Sequence, residues 1–327
     1  MTRELSVGDE RWPITGEFVI SRGSKTEAHV VVAEIAQDGA RGRGECTPYP
    51  RYGETVDSVR GQIEVARAEI EAGLDRAALQ TFMPPGAARN ALDCALWDLE
   101  AKRSGVPAYR TAGRARLDPV KTAYTISLGP PEAMAEAAGR ASRRPMLKLK
   151  IGGADDVDRV RAVRAAAPLT RLIVDANEGL SLSDLARLLP DLEALGVKLI
   201  EQPLKAGEDQ QLAGLKSSIP LCADESLHTR AELDACAGLY ACINIKLDKA
   251  GGLTEALALG AEARARGLMV MIGSMVATSL AIAPAMILAQ GADFVDLDGP
   301  LLLVRDRAPG LNILGSLIEP PPPELWG

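Results

Sequence analysis

Residues 146–176 read MLKLKIGGADDVDRVRAVRAAAPLTRLIVDA and contain two short apolar segments on either side of a charged one. Residues 146–151 and 171–176 have the length and apolar character of buried β-strands. Residues 156–168 between them have the pattern of an amphipathic helix. A strand, a helix and a second strand in this order predict two parallel strands joined by a helix.

The same pattern continues through residues 120–300, where eight apolar segments alternate with amphipathic ones. Eight strands that alternate with helices predict an α/β fold with a closed parallel barrel rather than an open sheet. The eight predicted strands are TAYTISL (122–128), MLKLKI (146–151), RLIVDA (171–176), VKLIEQ (197–202), IPLCADE (219–225), CINIKL (242–247), LMVMIGS (268–274) and ADFVDLD (292–298).

The first third of the chain has a different pattern. Residues 16–46 are typical of β-strands with turns, and the glycine-rich stretch QDGARGRGE (37–45) is interpreted as a turn. Helices are predicted over 54–73 and 87–105. Strands followed by helices indicate a small α+β domain before the barrel.

Composition excludes several classes of function. The 327 residues carry 37 basic and 44 acidic side chains, a net charge of −7, so neither nucleic acid nor a membrane is an expected partner. The five cysteines form no CxxC pair, which argues against a disulfide framework or a zinc ribbon and favours the reducing cytoplasm. Residues 268–292 carry no charge, but glycine, serine and proline interrupt them, which favours a buried strand, loop and helix over a membrane span.

Charged side chains recur at the carboxyl ends of the predicted strands. One such residue alone is ordinarily a helix cap or a solvated loop residue, but six strands share the feature at steps of 22 to 26 residues or twice that. The carboxyl ends of barrel strands are where active sites of such barrels are built. The residues are Lys148, Lys150, Asp175, Glu201, Asp224, Lys246, Asp296 and Asp298.

Asp175, Glu201 and Asp224 end three consecutive predicted strands. Adjacent strands lie about 4.7–4.9 Å apart, so the three carboxylates repel one another unless a cation neutralises them. An all-oxygen ligand set favours Mg²⁺, with Mn²⁺ as the next choice.

Three lysines stand around this predicted metal site. Lys148 and Lys150 point to the same face of one strand, and their proximity is expected to lower a lysine pKa towards the range of a working base. Lys246 ends the sixth strand, which lies opposite the second in an eight-stranded barrel. Two bases on opposite faces of one carbon suit a 1,1-proton transfer, in which the metal stabilises an enediolate formed from a carboxylate.

Asp296 and Asp298 share one face of the last strand among apolar neighbours. Such an anionic pair complements an ammonium group. Two solvated acids that cap the strand end are an equally simple interpretation.

On the basis of these residues, the chain resembles the enolase superfamily. Within it, the resemblance is to the muconate-cycloisomerase-like subgroup and, more narrowly, to the dipeptide epimerases. The resemblance covers nearly the whole chain. The stretches that carry it are RGSKTEAHVVV (22–32), GECTPYPRYGE (44–54), GAARNALDCALWDLEAKR (86–103), KLK (148–150), VDANE (174–178), EQPL (201–204), ADES (223–226), NIKLDKAGGLTEAL (244–257) and DLDGP (296–300).

The resemblance implies a modified (β/α)7β TIM-type barrel over residues 116–300. It also implies an N-terminal α+β capping domain over residues 1–115, completed by residues 301–327. The loop TPYPRYGE (47–54) is expected to close over the site, although its composition also fits an ordinary surface turn. A homo-oligomer is compatible with the sequence.

The implied reaction is the Mg²⁺-dependent epimerisation of a dipeptide at the α-carbon of its C-terminal residue, with L-Ala-L-Glu converted to L-Ala-D-Glu in murein peptide metabolism. One Mg²⁺ is implied per subunit. The resemblance places Lys25 where close relatives carry an arginine that is expected to meet the glutamate side-chain carboxylate. Lysine keeps the charge of arginine but cannot make its bidentate contact. The other implied roles are acid/base catalysis by Lys150 and Lys246, contact of Lys148 with the substrate carboxylate, metal binding by Asp175, Glu201 and Asp224, support of the metal ligands by Asn177 and Glu225, ammonium binding by Asp296 and Asp298, and lining of the substrate site by Thr125 and Ser274.

Three other interpretations use the same residues. A cycloisomerase or an o-succinylbenzoate synthase has no need of the two aspartates on the last strand or of Lys25. A Schiff-base aldolase with Lys150 or Lys246 as nucleophile would work without metal. A non-catalytic barrel would be expected to lose its charged strand ends, and this chain has kept them.

Overall fold

A computed structural model describes residues 3–153 and 156–327 and contains the predicted barrel at its centre. Eight parallel strands follow one another around it in chain order. The barrel strands are β5 (Tyr124–Ile126), β6 (Met146–Lys150), β7 (Arg171–Asp175), β8 (Val197–Glu201), β9 (Leu221–Ala223), β10 (Cys242–Ile245), β11 (Met269–Gly273) and β12 (Phe294–Asp296). Ala123 N–H donates to Val295 O at 2.8 Å, which joins the first strand to the last and closes the sheet.

Helices connect most of these strands, and the α/β barrel prediction is confirmed. The connection from β8 to β9 is an exception, because it contains only the 3-10 turn Asp209–Leu212. The helices of the barrel are α6 (Pro131–Arg140), α7 (Val157–Ala166), α8 (Leu182–Ala194), α9 (Leu233–Cys236), α10 (Leu247–Ala250), α11 (Leu253–Ala265) and α12 (Ser279–Leu288).

The N-terminal part forms an antiparallel sheet in the order β1–β2–β3, with helices packed on one face. The elements are β1 (Glu4–Ile20), β2 (Gly23–Gln37), β3 (Ala40–Cys46), α1 (Val56–Val65), α2 (Arg67–Glu71), α3 (Arg76–Phe82), α4 (Ala87–Ser104) and α5 (Ala108–Thr111). The helix predicted over 54–73 is two helices, α1 and α2, with an interruption at Ala66, whose backbone stays in the right-handed region at a ψ of −8°.

The glycine-rich stretch 37–45 is only partly a turn. Gly39 turns the chain with a φ of 81°, but Gly42 and Gly44 lie within β3. These two glycines let the strand approach α4 closely: a Cβ on Gly42 would lie 2.6 Å from Leu99 Cβ, and one on Gly44 would lie 2.8 Å from Ala95 N. The prediction of a turn was wrong there, because the partner helix begins more than 40 residues later in the chain.

The uncharged segment 268–292 is β11, a loop and the buried helix α12, as predicted. Among the described residues, no helix is long and apolar enough to cross a membrane.

The C-terminal tail returns to the barrel and then to the N-terminal part. Two short strands, β13 (Ile313–Leu314) and β14 (Leu317–Ile318), pair with β4 (Val120–Lys121). The final residues are irregular, but Trp326 is buried and its indole N–H donates to Cys94 O of α4 at 3.0 Å. The tail therefore touches the helix that supports the N-terminal sheet. The domain boundaries at 115 and 300 stay predictions.

Gly44→Ala is expected to destabilise the protein, because the added methyl group overlaps the α4 backbone. Overpacking of this kind costs about 1–3 kcal/mol. The free energy of unfolding by urea measures the change.

Gly61→Ala is the matched control, since Gly61 lies within α1 and a Cβ there would meet nothing within 4 Å. It should leave stability unchanged or raise it by about 0.4–1 kcal/mol. Equal effects of the two substitutions would contradict the close-packing explanation.

Candidate active site

The inside of the barrel is built in layers, one side chain from each strand. The lower layer is apolar and consists of Ala123, Met146, Ile173, Leu199, Cys222, Cys242, Met271 and Phe294. Inward-facing residues of a strand recur every second position. The residues two positions further on are Thr125, Lys148, Asp175, Glu201, Asp224, Asn244, Gly273 and Asp296. An apolar floor therefore carries a layer rich in charge at the carboxyl ends of the strands.

Strand register brings the three candidate metal ligands side by side. Lys150 on β6 pairs in register with Asp175 on β7, and Asp175 pairs with Glu201 on β8. Asp224 directly follows β9, whose Cys222 pairs with Glu201. All three carboxylates are almost fully buried.

Lys148 lies among the carboxylates. Its Nζ is 2.7 Å from Glu201 Oε2, 2.7 Å from Asp296 Oδ2 and 3.1 Å from Asp175 Oδ2. Burial alone would lower the pKa of Lys148, but the surrounding carboxylates outweigh it and hold the pKa well above its usual value. The expectation of a lowered pKa is therefore wrong for this lysine, because its carboxylate neighbours act more strongly than its lysine neighbour.

The two other lysines each pair with a different candidate metal ligand. Lys150 Nζ lies 2.6 Å from Asp175 Oδ2, and Lys246 Nζ lies 2.6 Å from Asp224 Oδ2. Burial would lower the pKa of Lys246, but Asp224 and Glu201 more than offset it, so its pKa is raised. Strands β6 and β10 are four positions apart in the eight-stranded barrel, so Lys150 and Lys246 approach its centre from opposite sides.

The carboxylates respond differently to this environment. Burial and Asp175 raise the pKa of Glu201 to about 7. Burial also acts to raise the pKa of Asp175, but Lys150 and Lys148 lower it below its usual value. A cation of higher charge between the two residues would keep both ionised.

The residues fit a hard divalent cation, although they hold ammonium groups here. Among the described residues, no group of three His, Cys, Asp or Glu side chains is already arranged around a common point as metal ligands. Oxygens of Asp175 and Glu201 nevertheless converge on one cation, Lys148 Nζ, within 3.1 Å. The donors are all carboxylate oxygens, which is the chemistry that Mg²⁺ prefers.

Asn177 and Glu225 lie close to these carboxylates in the chain and contact each other. Asn177 N–H donates to Asp175 Oδ1 at 2.9 Å, and its side-chain amide donates to Glu225 Oε1 at 3.4 Å. Asn177 Oδ1 and Glu225 Oε2 are buried with no hydrogen-bond partner among the described residues. Unpaired buried oxygens of this kind mark a place where a cation or water belongs.

Asp296 and Asp298 are both buried, which excludes the interpretation as two solvated acids. They differ in their partners: Asp296 pairs with Lys148, whereas Asp298 Oδ2 accepts the Thr125 backbone N–H at 2.6 Å. Burial and Asp296 raise the pKa of Asp298 to about 7. An ammonium ligand would relieve the repulsion between them.

A cavity of about 530 Å³ opens above these residues, and capping residues form its outer wall. Lys25, Thr125, Ser274, Asp296 and Asp298 all line it. Lys25 is half-buried, and burial together with Lys150 and Lys246 lowers its pKa to about 8. The loop predicted to close over the site contributes Tyr49, Pro50, Arg51 and Tyr52 to the same wall.

Sequence reasoning missed two buried polar residues of this region. Asn244 donates to Glu201 Oε1 at 2.8 Å, and Gly273 leaves room for it, since a Cβ there would lie 2.6 Å from Asn244 Oδ1. Lys249 is buried and donates to Asp224 Oδ1 at 2.7 Å and to Leu227 O at 2.8 Å. The period-two spacing from Cys242 predicts the position of Asn244, but no comparable signal points to Lys249.

The comparisons with known proteins agree with this geometry. Residues 132–298 match the enolase C-terminal domain-like family, and residues 2–113 match the N-terminal domain of mandelate racemase / muconate lactonizing enzymes. The chain therefore belongs to the enolase superfamily, in its mandelate racemase and muconate lactonizing enzyme family.

Two relatives are especially similar and are named an epimerase and a racemase. The L-Ala-D/L-Glu epimerase of Escherichia coli is 47% identical over 95% of this chain and 97% of its own length. The N-acetyl-D-glutamate racemase of a Pseudoalteromonas species is 42% identical over 91% of this chain and 95% of its own length.

Solved structures show the same fold with ligands. An enolase family member from Agrobacterium tumefaciens, described as having homology to dipeptide epimerases, holds sodium and L-Ala-L-Glu. It is 51% identical, with a TM-score of 0.98 over 99% of this chain and all of its own. The dipeptide epimerase of Enterococcus faecalis, complexed with Mg and L-Leu-L-Tyr, is 27% identical, with a TM-score of 0.91 over 98% of each chain.

Mg²⁺ is expected to stabilise the protein, because it replaces the ammonium groups as the cation shared by the carboxylates. At 100 times the Kd, binding adds about 2.7 kcal/mol to the free energy of unfolding. Glu201→Gln removes one charged ligand and should abolish most of this gain.

Thermal unfolding with and without Mg²⁺ measures the effect. Glu100→Gln is the control, since Glu100 pairs with Arg76 on the capping surface, away from the site. Equal stabilisation of wild type and Glu201→Gln would contradict the assignment of the site.

Proposed function

We propose that this protein is an isomerase that epimerises dipeptides at the α-carbon of the C-terminal residue, with Mg²⁺ as its cofactor and Mn²⁺ as a substitute. The observation that best supports this function is the pair of lysines, Lys150 and Lys246, on opposite strands beside a cluster of carboxylates. We take L-Ala-L-Glu and L-Ala-D-Glu as the substrate pair, a fragment of murein peptide. The cytoplasmic location that we propose rests on the five cysteines, all free and buried.

The placement of the residues supports the following roles. Asp175, Glu201 and Asp224 would hold Mg²⁺, which would supply positive charge beside the substrate carboxylate. Lys150 pairs with Asp175 and Lys246 with Asp224, and both pairs would be weaker if the carboxylates also bound a metal ion. One lysine then removes the α-proton as a free amine, and the other, as an ammonium, returns a proton to the opposite face.

Three charged subsites in the cavity match the charges of L-Ala-L-Glu. Asp298, with Asp296 beside it, complements the α-ammonium. Lys148 and the proposed metal complement the C-terminal carboxylate, and Lys25 complements the side-chain carboxylate. Lys25 belongs to the capping wall, which supports a role in selecting the substrate rather than in moving the proton.

A second candidate is racemisation of an N-acylated glutamate, which has no ammonium group. The observation that favours it is the internal pairing of the two aspartates: Asp296 has Lys148 and Asp298 has the Thr125 N–H. Each acid therefore has one partner without a ligand ammonium, although Asp296 Oδ1 is buried with no hydrogen-bond partner among the described residues.

The proposed reaction is tested by incubating the protein with Mg²⁺ in D₂O together with a dipeptide library and N-acetylglutamate. Epimerisation by this mechanism puts deuterium on the α-carbon, which mass spectrometry detects, and chiral analysis identifies the product. L-Ala-L-Glu is expected to exchange fastest. Faster exchange of N-acetylglutamate would favour the second candidate, and no exchange in any compound would contradict both.

Lys150→Ala and Lys246→Ala test the two-base geometry. Each variant should lose epimerisation but keep deuterium exchange with only one epimer of the substrate, because one face keeps its base. The exchange rates of L-Ala-L-Glu and L-Ala-D-Glu are measured separately. Near-normal epimerisation by either variant would show that one base is enough.

Lys25→Ala should lower kcat/KM for L-Ala-L-Glu by roughly 10- to 150-fold, since a charge-assisted contact is worth about 1.5–3 kcal/mol. The loss on L-Ala-L-Leu should be much smaller, because leucine has no side-chain carboxylate. Steady-state kinetics with both dipeptides gives the ratio.

The pH dependence of that ratio is the control. As the pH rises through about 8, Lys25 loses its charge and the preference for L-Ala-L-Glu should fall. Lys25→Arg keeps the charge and should keep the preference. An equal loss on both dipeptides in Lys25→Ala would refute selection by this residue.

A further inference from the structure

Glu178 is a buried carboxylate that no role described so far includes. It lies three residues after Asp175, and only 4% of its side chain is exposed. Oε2 accepts from Arg51 Nε at 2.7 Å and lies 3.0 Å from Arg22 Nη1. Oε1 accepts from Arg51 Nη2 at 2.6 Å and from Ala206 N–H at 2.9 Å. One barrel carboxylate therefore receives two guanidinium groups.

The two arginines come from separate segments of the capping region. Arg22 lies in the turn between β1 and β2, and Arg51 lies in the 3-10 turn Pro50–Tyr52. Their side chains are 25% and 39% exposed. The acceptor is thus fixed inside the barrel rim, whereas the donors are accessible to water.

Arg22 also binds the residues that support the candidate metal ligands. Nη1 donates to Asn177 O at 2.6 Å, and Nη2 donates to Glu225 Oε1 at 2.7 Å and to Tyr49 OH at 3.1 Å. Ser21 Oγ adds a hydrogen bond to Asn177 O at 3.0 Å. The turn before Lys25 is therefore tied to the ends of both β7 and β9.

The backbone that presents Glu178 adopts an unusual conformation. Asn177 and Glu178 have φ values of 45° and 68°, in the left-handed region that residues with a side chain rarely enter. Glu178 N–H donates to Gln202 O at 2.9 Å, which holds this turn against the end of β8. Backbone strain of this kind persists only where the surroundings hold it and often accompanies a functional constraint.

Both capping segments form the wall of the substrate cavity. Gly23, Ser24 and Lys25 of the first segment line it, and so do Tyr49, Pro50 and Tyr52 of the second. We propose that Glu178 is a positioning residue that locks these two segments onto the barrel and so fixes Lys25 and Tyr52 over the substrate. This proposal rests on the proposed function and adds a specificity-positioning residue to it.

Glu178→Gln tests the proposal, because it keeps the shape and the acceptor for Ala206 but removes the charge that both arginines share. We expect the KM for L-Ala-L-Glu to rise roughly tenfold while kcat stays within about threefold, the signature of lost uniform binding. L-Ala-L-Leu should be affected less. An unchanged KM, or a loss confined to kcat, would overturn the proposal.

A second measurement needs no substrate. Trypsin cleaves after arginine and lysine, so release of the two segments should speed cleavage after Arg22, Lys25 and Arg51 by roughly fivefold or more in the folded variant. Mass spectrometry identifies the cut positions. The proposal is overturned if these cuts are no faster than in wild type, even if the protein proves not to be an epimerase.

Two further variants complete the experiment. Arg51→Gln removes the bonds of Arg51 to Glu178 and should speed cleavage after Arg22 and Lys25. It tests the proposal if Glu178→Gln does not fold. Glu100→Gln removes an ion pair with Arg76 elsewhere on the capping region and should change neither cleavage nor KM. If Glu100→Gln raised KM and the cleavage rate as much as Glu178→Gln does, the effect would reflect a general destabilisation of the capping region and would contradict the proposal.

Discussion

The burial of many opposite charges in one layer of the barrel is the constraint on which the site depends. A charge removed from water is costly unless a partner of opposite sign and further hydrogen bonds compensate it. Here Lys148, Lys150 and Lys246 compensate Asp175, Glu201, Asp224 and Asp296 over distances of 2.6–3.1 Å. Each group holds its neighbours in place, so the arrangement that balances the charges also fixes where a cation and a substrate carboxylate can enter.

The charged layer lies between an apolar layer of the barrel and the capping segments. Below it, the apolar side chains of the eight strands form a buried layer of low polarity, which strengthens the electrostatic interactions above. Above it, the capping segments line the cavity. Strand β3, which leads into residues 47–54, packs closely on α4 at Gly42 and Gly44. Arg22 and Arg51 then join this capping region to the ends of β7 and β9.

The sequence predicts the barrel and the candidate site well because both depend on short periods. Apolar segments predict the strands, and the two-residue period of a strand places Lys148, Asp175 and Glu201 on the inner face. Features that depend on distant partners could not be predicted in this way. Gly42 has the sequence context of a turn residue, but it packs on α4. The pKa of Lys148 depends on carboxylates at the ends of four other strands. Glu178 is a further case, since its arginines are more than 120 residues away in the chain.

The central claim is that two lysines on opposite strands share one substrate carbon beside a metal. A crystal structure of the protein with Mg²⁺ and L-Ala-L-Glu tests it most directly. The account predicts Mg²⁺ bound by Asp175, Glu201 and Asp224, with the α-carbon of the glutamate between the Nζ atoms of Lys150 and Lys246. A glutamate α-carbon that faces only one lysine, or a metal bound away from the three carboxylates, would contradict it.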